Sequence, residues 1–136
     1  MASWHVITGG PRSGAGTLIH ELAFRGHHTV PEAARIHIDR ANTSGVTTRK
    51  LRKDEKKFQR DVLALKLEAE KGLPRRRIIF LERGVPDSIP YYRNSGLPVH
   101  EAEAVSKGRN YGTVFVLDHL PGYTKDYART ESEATA

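Results

Sequence analysis

The chain has 136 residues, of which 38% are hydrophobic and 28% charged, a length that suits one domain with a hydrophobic core. It contains no cysteine, which excludes disulfide bonds and thiolate metal sites. No apolar run approaches the roughly 20 residues that span a bilayer, and the N-terminus has no signal-peptide pattern, so we expect a cytoplasmic protein without a membrane partner.

The basic charge gives two alternatives. A formal net charge of +6 suits phosphorylated ligands and also nucleic acid. It is concentrated in residues 49–57 and in Arg75–Arg77. Because no aromatic residues interleave with these runs as they do in base-stacking surfaces, we interpret them as solvated segments. Nucleic-acid binding is the less favoured alternative.

The first elements surround a glycine-rich loop. Residues 4–8 are apolar and β-branched, as in a buried parallel strand. From Ala15 the apolar residues recur at helical spacing, and Gly26 is suited to be the left-handed cap of that helix. Gly9 and Gly14 are spaced as in the phosphate-binding pattern G-x-x-x-x-G-K-[ST]. At the lysine and hydroxyl positions of that pattern the chain has Ala15 and Gly16.

Strands and helices alternate along the remaining chain, which predicts an α/β domain with a parallel sheet. The predicted strands after the first are 27–30, 77–82 and 113–118, and the last two are continuously apolar. The predicted helices after the first are 32–40, 54–71, 88–94 and 99–107, with a polar loop at 42–48.

Polar residues follow each predicted strand. Gly9 and Gly10 follow the first, Glu32 follows the second, and Glu82 with Arg83 ends the third. Ligands of parallel α/β sheets bind at the carboxyl ends of the strands. The sequence therefore predicts glycines for a phosphate, two carboxylates and an arginine along one edge. Asp118, at the end of the fourth strand, either orients water or caps that strand.

Six runs occur in an order typical of one family. They are residues 6–14, 30–35, 58–60, 82–92, 117–118 and 123–131. In this order they resemble the bacterial AAA-type P-loop ATPase/kinase-like family, which is similar to the kinase half of the nicotinamide-nucleotide regulator proteins. The resemblance covers nearly the whole chain.

The resemblance implies a three-layer, kinase-like P-loop NTPase fold with flanking helices and about four parallel strands in the order 2-3-1-4. We expect residues 1–136 to form a single nucleotide-binding domain. The family usually continues with another strand and helix after the lid-like segment 123–131, so we expect a chain truncated at its C-terminus relative to the family.

The resemblance also implies ATP with magnesium as the ligand. The expected phosphate-binding residues are Gly9, Gly10, Pro11, Arg12, Ser13, Gly14, Ala15, Gly16 and Thr17. Arg12 replaces a small residue, and its guanidinium can bind phosphate in bidentate fashion, although its position need not reach the γ-phosphate. Thr17 lies one residue beyond the magnesium position. Since one residue rotates a helical side chain by about 100°, we interpret Thr17 as a residue of the first helical turn.

Four side chains are candidates for chemistry. The resemblance implies a magnesium-water or general-base role for Glu82 and a phosphate or substrate role for Arg83; the alternative is a surface ion pair. Glu32 either accepts a proton from a substrate hydroxyl or stabilises a helix start. Arg129 is a candidate lid arginine for the transferred phosphate. No metal ligand is assigned.

The preferred interpretation is an ATP-binding domain whose phosphoryl transfer, to a small hydroxyl-bearing substrate or to water, is weakened or lost with the lysine and hydroxyl. The alternatives are a non-enzymatic domain that binds a phosphorylated ligand or a protein, and a basic nucleic-acid-binding module. Whether the chain is an enzyme stays open at this point.

Overall fold

The computed structural model describes residues 3–10 and 13–118. Its strands are β1 (Trp4–Gly9), β2 (His28–Val30), β3 (Ile79–Glu82) and β4 (Thr113–Leu117). Its helices are α1 (Ala15–Phe24), α2 (Ala33–Thr43), α3 (Thr48–Arg52), α4 (Glu55–Lys71), α5 (Ser88–Ser95) and α6 (Val99–Ser106), with a 3₁₀ turn at Val85–Asp87.

The strands form one parallel sheet in the order β2-β3-β1-β4. β1 lies between two neighbours, pairing Ile7 with Glu82 of β3 and Gly9 with Leu117 of β4. This confirms the α/β class and the strand order 2-3-1-4. Parallel strands end at the same edge, so the loop after β1 and the residues after β3 lie at the same edge of the sheet.

The residue contacts divide the chain into two compact units. The first consists of Met1–Glu32, Arg75–Arg83 and Asn110–Ala136, and it holds the whole four-stranded sheet with α1. The second consists of Ala33–Pro74 and Gly84–Arg109, and it holds α2 to α6.

The core of the first unit forms where α1 packs on the sheet. Ile7 of β1 and Ile19 of α1 are buried together with Ala15, and Phe80 and Leu117 pack against them. The apolar spacing of α1 thus faces the sheet, as the periodicity predicts. The helix ends at Phe24, and Gly26 has a φ of 90°, which confirms it as a left-handed cap residue.

The second unit is built around α4. The side chain of Asp54 caps this helix by accepting the Lys57 N–H at 3.1 Å. Leu63 of α4 belongs to a buried cluster with residues of the 3₁₀ turn, α5 and α6. Two of its buried charged side chains are paired: Lys66 donates to the Ser88 hydroxyl at 2.8 Å, and Glu70 accepts from Arg109 at 2.6 Å. Pairing offsets the cost of burying these groups.

The predicted bounds of the loop at 42–48 are wrong at both ends. Helix α2 continues through Thr43, and a short helix α3, which the sequence analysis did not predict, begins at Thr48. The Thr47 hydroxyl caps α3 by accepting the Lys50 N–H at 3.1 Å. The threonine was a possible cap signal, but α3 has only five residues and shows no apolar periodicity.

β4 lies at one edge of the described sheet and is exposed despite its apolar sequence. Val114, Phe115 and Val116 are 53%, 46% and 74% exposed. Among the described residues, β4 pairs with β1 alone. Continuous apolar sequence predicts a strand buried on both faces, and the described part of the chain covers neither face of β4 fully.

Candidate functional site

The loop between β1 and α1 begins at a position that only glycine can occupy. A Cβ on Gly9 would lie 2.6 Å from both Cβ and Oγ of Ser13 and 2.8 Å from the carbonyl oxygen of Leu117. The chain turns back at once, since the Ser13 N–H donates to the Gly10 carbonyl at 3.1 Å. The glycine at the start of the nucleotide-binding pattern is therefore required by local packing.

The second glycine of the pattern sets the direction of the helix. Gly14 is the residue before α1 and has a left-handed φ of 83°, a conformation that other residues adopt at a cost. Ser13 is 5% exposed, and its hydroxyl lies 3.4 Å from the Ala15 amide, at the limit of a hydrogen bond. The amide groups of the first helical turn lie at the positive end of the helix dipole, which favours an anion there.

The position that carries lysine in the phosphate-binding pattern is apolar and buried here. Ala15 is 7% exposed and packs with Ile7 and Ile19. Thr17 is exposed in the first turn of α1. The first turn of α1 therefore carries no cationic side chain.

Gly16 and Glu82 face each other between α1 and β3. The Cβ that Gly16 lacks would lie 3.5 Å from Oε2 and 3.9 Å from Oε1 of Glu82. The pattern's hydroxyl would be attached to that Cβ. The acid at the end of β3 thus lies beside the position at which the phosphate-binding pattern has a hydroxyl and this chain has Gly16.

Glu82 and Glu32 form a pair of neighbouring carboxylates. Oε1 of Glu82 accepts the backbone N–H of Glu32 at 3.4 Å. Burial, and after it the negative charge of Glu32, raises the pKa of Glu82 to about 7, although the Glu32 N–H and the charge of Arg83 oppose the shift. Near neutral pH the Glu82 carboxyl therefore exchanges a proton, which is the property of a general acid or base.

Arg83 joins three parts of this edge. Its backbone N–H donates to the Ile7 carbonyl at 2.9 Å, and its Nη2 donates to the Gly9 carbonyl at 3.0 Å. Its Nε lies 3.6 Å from Oε2 of Glu32, and the two side chains are 11% and 26% exposed. The arginine therefore holds the end of β1, and with it the start of the loop, beside Glu32.

The backbone of Arg83 is in a conformation that non-glycine residues seldom adopt. Its φ of 67° is the only positive value among the described non-glycine residues. Such a conformation costs on the order of 1–3 kcal/mol and persists where surrounding contacts hold it. Its observed partners include the Gly9 carbonyl and Glu32, and the expected contact of Arg83 with phosphate or substrate stays a prediction. No sequence signal marked this bracing role.

Several predicted residues lie outside the described part of the chain. Pro11, Arg12 and Arg129 are among them, as is the lid-like segment 123–131. Asp118 follows β4 and is exposed. Among residues 3–10 and 13–118, no group of three or more histidine, aspartate or glutamate side chains could hold a metal ion.

A family model for the AAA domain matches residues 4–136 of the chain. The chain belongs to this AAA domain family. No curated protein matches the sequence. None of the helices in the described residues combines the length and apolar character needed to cross a bilayer. The match identifies this AAA domain as a P-loop nucleotide-binding domain, and its loop, Glu82 and Arg83 lie where the parallel sheet of such a domain places a ligand site.

Proposed function

We propose that this AAA domain binds the phosphates of ATP through the backbone amides of residues 9–17, and that its phosphoryl transfer is weakened or lost. The observation that carries the proposal is the closeness of Glu82 to Gly16: a Cβ on Gly16 would lie 3.5 Å from Oε2 of Glu82. The carboxylate supports a former role beside the reacting phosphate, and the glycine supplies no hydroxyl to accompany it.

Phosphate binding fits the residues present. The left-handed Gly14 and the 10-residue helix α1 direct amide N–H groups towards an anion at the carboxyl edge of the sheet. Arg83 supports this arrangement by fixing the Gly9 carbonyl. These contacts require neither Lys nor Thr, since they are made by the backbone.

Magnesium and the transferring phosphate fit less well. Magnesium would lose its hydroxyl ligand at Gly16, and Glu82 alone does not complete a site among the described residues. The loop lysine, which would stabilise charge on the transferring group, is replaced by the buried Ala15. The described residues therefore do not fit a bound magnesium ion.

The remaining side chains support a vestigial kinase-like or ATPase activity. Glu32, 26% exposed beside the loop, is the group we assign to a hydroxyl of the acceptor or to water. Glu82 exchanges a proton near neutral pH. If transfer to a small hydroxyl-bearing substrate persists, these two carboxylates are its general-base candidates.

Calorimetry and an ATPase assay test the proposal on the wild type, Ala15→Lys, Gly16→Thr and the double variant. We expect the wild type to bind ATP, and the double variant to turn it over faster by roughly two to three orders of magnitude with magnesium. Ala64→Lys is the matched control, because it adds the same charge at an exposed position of α4.

Two outcomes contradict the proposal. If the wild type hydrolyses ATP as fast as the double variant, the loop has lost nothing. If neither protein binds ATP while both keep the circular dichroism spectrum of a folded chain, the loop amides do not form a phosphate site. ATP binding by the wild type with no turnover, beside a double variant that turns ATP over, supports a non-enzymatic nucleotide-binding role.

A further inference from the structure

A second surface lies in the first unit, at the amino ends of the strands, on the edge of the sheet opposite the loop. Three consecutive exposed arginines, Arg75, Arg76 and Arg77, precede β3. In the described part of the chain, Arg76 and Arg77 have no ion-pair partner. On α1, Glu21 forms an ion pair with Arg25 at 3.0 Å. This edge therefore presents positive charge without an opposing carboxylate on α1.

Aromatic rings occupy the same edge. The Phe80 ring lies 5.4 Å from the His27 ring, edge-on at 83°, and 5.6 Å from the His5 ring, tilted at 35°. The parallel register explains the grouping, since Phe80 pairs with His5 of β1 and His28 pairs with Ile79. The side chains of His5, His27 and Phe80 thus belong to one face of the sheet.

Two large apolar side chains close in sequence to these rings are exposed. Phe24, the last residue of α1 and three residues before His27, is 87% exposed. Ile78, the residue before β3, is 59% exposed. An exposed ring on the same edge as Arg76 and Arg77 indicates a binding surface more strongly than a single exposed apolar residue does.

We propose that this edge binds single-stranded nucleic acid. We name it the arginine–ring edge, formed by Phe24, His27, Arg75–Arg77 and Ile78. The arginines would contact consecutive phosphates, and the exposed rings of Phe24 and His27 would stack against bases, the combination that single-strand binders use. No aromatic residue interleaves with the basic runs in the sequence; the pairing of His28 with Ile79 brings the start of β2 beside the segment that carries the arginines.

The chemistry favours nucleic acid over the other anionic partners. An acidic peptide would use the arginines but would leave the rings without a planar partner. A lipid surface would take up the exposed apolar side chains of Phe24 and Ile78 but would offer no planar partner to the exposed His27 ring. A single strand uses both the cations and the rings.

Fluorescence anisotropy with a labelled 16-nucleotide oligothymidylate, measured across a salt series, tests the proposal. We expect Arg76→Gln/Arg77→Gln to weaken binding about ten-fold and to reduce the slope of log K against log salt by about 1.4, or 0.7 for each phosphate contact. Lys50→Gln/Lys53→Gln removes two exposed cations from the second unit and is the matched control. It should change the slope little.

The rings are tested separately from the charge. Phe24→Ala/His27→Ala should weaken binding at least five-fold without changing the salt slope, because stacking releases no counterions. Phe24→Tyr keeps a ring and should bind as the wild type does. ATP binding should be the same in all these variants, because none of the residues lies in the loop.

Four results would overturn the proposal. They are absence of oligonucleotide binding, equal losses in the arginine and lysine variants, wild-type affinity in Phe24→Ala/His27→Ala, and tighter binding to an oligoglutamate peptide or to phosphatidylserine vesicles than to the oligonucleotide. Equal losses in the arginine and lysine variants would show that net charge alone drives binding. Wild-type affinity in Phe24→Ala/His27→Ala would exclude stacking, and tighter binding to the peptide or the vesicles would assign the edge to another partner.

Discussion

Nη2 of Arg83 donates a hydrogen bond to the carbonyl oxygen of Gly9 at 3.0 Å, so the residue after β3 fixes the residue at which the phosphate-binding loop begins. The same guanidinium lies 3.6 Å from Glu32. The contact is made from a left-handed backbone conformation with a φ of 67°. The side-chain hydrogen bond of Arg83 therefore stabilises the fold, whereas its backbone conformation destabilises it. Substitutions of Arg83 can measure the two effects separately.

Arg83→Ala and Arg83→Gly remove the same side-chain bonds but differ in backbone strain. We expect Arg83→Ala to lower the free energy of unfolding by about 2 kcal/mol, because the Gly9 carbonyl and the Glu32 carboxylate lose their partner. Arg83→Gly should be more stable than Arg83→Ala by about 1 kcal/mol, since glycine adopts a positive φ freely. Urea unfolding measures both.

Arg93→Ala is the control for these variants, because Arg93 is exposed on α5. Its effect should stay within about 0.5 kcal/mol. If Arg83→Ala proves as stable as Arg83→Gly, the left-handed conformation stores no strain.

Gly9→Ala should destabilise the fold by about 2 kcal/mol or more, because its Cβ would lie 2.6 Å from Ser13 and 2.8 Å from the Leu117 carbonyl. Adding Ser13→Gly should recover only part of the loss, since the clash with the backbone of β4 remains. Thermal unfolding followed by circular dichroism measures both changes.

Gly72→Ala provides the comparison for Gly9→Ala. A Cβ on Gly72, which follows α4, would meet no atom within 4 Å, and its φ of −87° suits alanine. We expect no loss of stability there. Equal effects at the two glycines would show that the close approach at Gly9 is not a packing constraint.

Glu82→Gln should make stability less dependent on pH. The pKa of Glu82 is raised from 4.5 to about 7, chiefly by burial, so the folded chain binds more protons than the unfolded chain between these values. The contribution of Glu82 to the free energy of unfolding therefore falls as the pH rises from 4.5 to about 7, and it stays low at higher pH. Glutamine carries no charge and keeps the acceptor for the Glu32 N–H.

The expected gain of Glu82→Gln is on the order of 1–3 kcal/mol at pH 8 and close to zero near pH 4.5. Urea unfolding at these two pH values measures it. Glu68→Gln, which changes an exposed glutamate of α4, is the control for loss of a carboxylate. A Glu82→Gln protein that is no more stable than wild type at pH 8 would show that the folded state accommodates this carboxylate without cost.

Much of the fold followed from local patterns. The apolar runs that became β1 and β3, the spacing of α1 and α4, and Gly26 as a cap were all predictable because neighbours in sequence determine them. α3 was missed because five residues give too short a periodic signal. The exposure of β4 was not predictable, because the apolar sequence of β4 is the one expected of a buried central strand.

The candidate site was likewise predictable only in part. Glycine spacing and the residues after each strand predicted the loop, Glu32, Glu82 and Arg83 as one group. The structure brings Glu32, Glu82, Arg83 and the loop together. It also gives Arg83 two protein partners, the Gly9 carbonyl and Glu32, which the sequence alone did not predict.

The sequence by itself determined the glycine spacing, the presence of Ala15 and Gly16 at the lysine and hydroxyl positions of the phosphate-binding pattern, and the alternation that specifies a parallel α/β sheet, because each depends on residues close along the chain. Only the tertiary structure decided that Glu82 faces the bare Gly16 and that Arg83 bonds to Gly9 from a left-handed backbone. It alone placed Phe80 between His5 and His27. These relationships join residues 50 to 75 positions apart, and strand register, which no local pattern encodes, sets them.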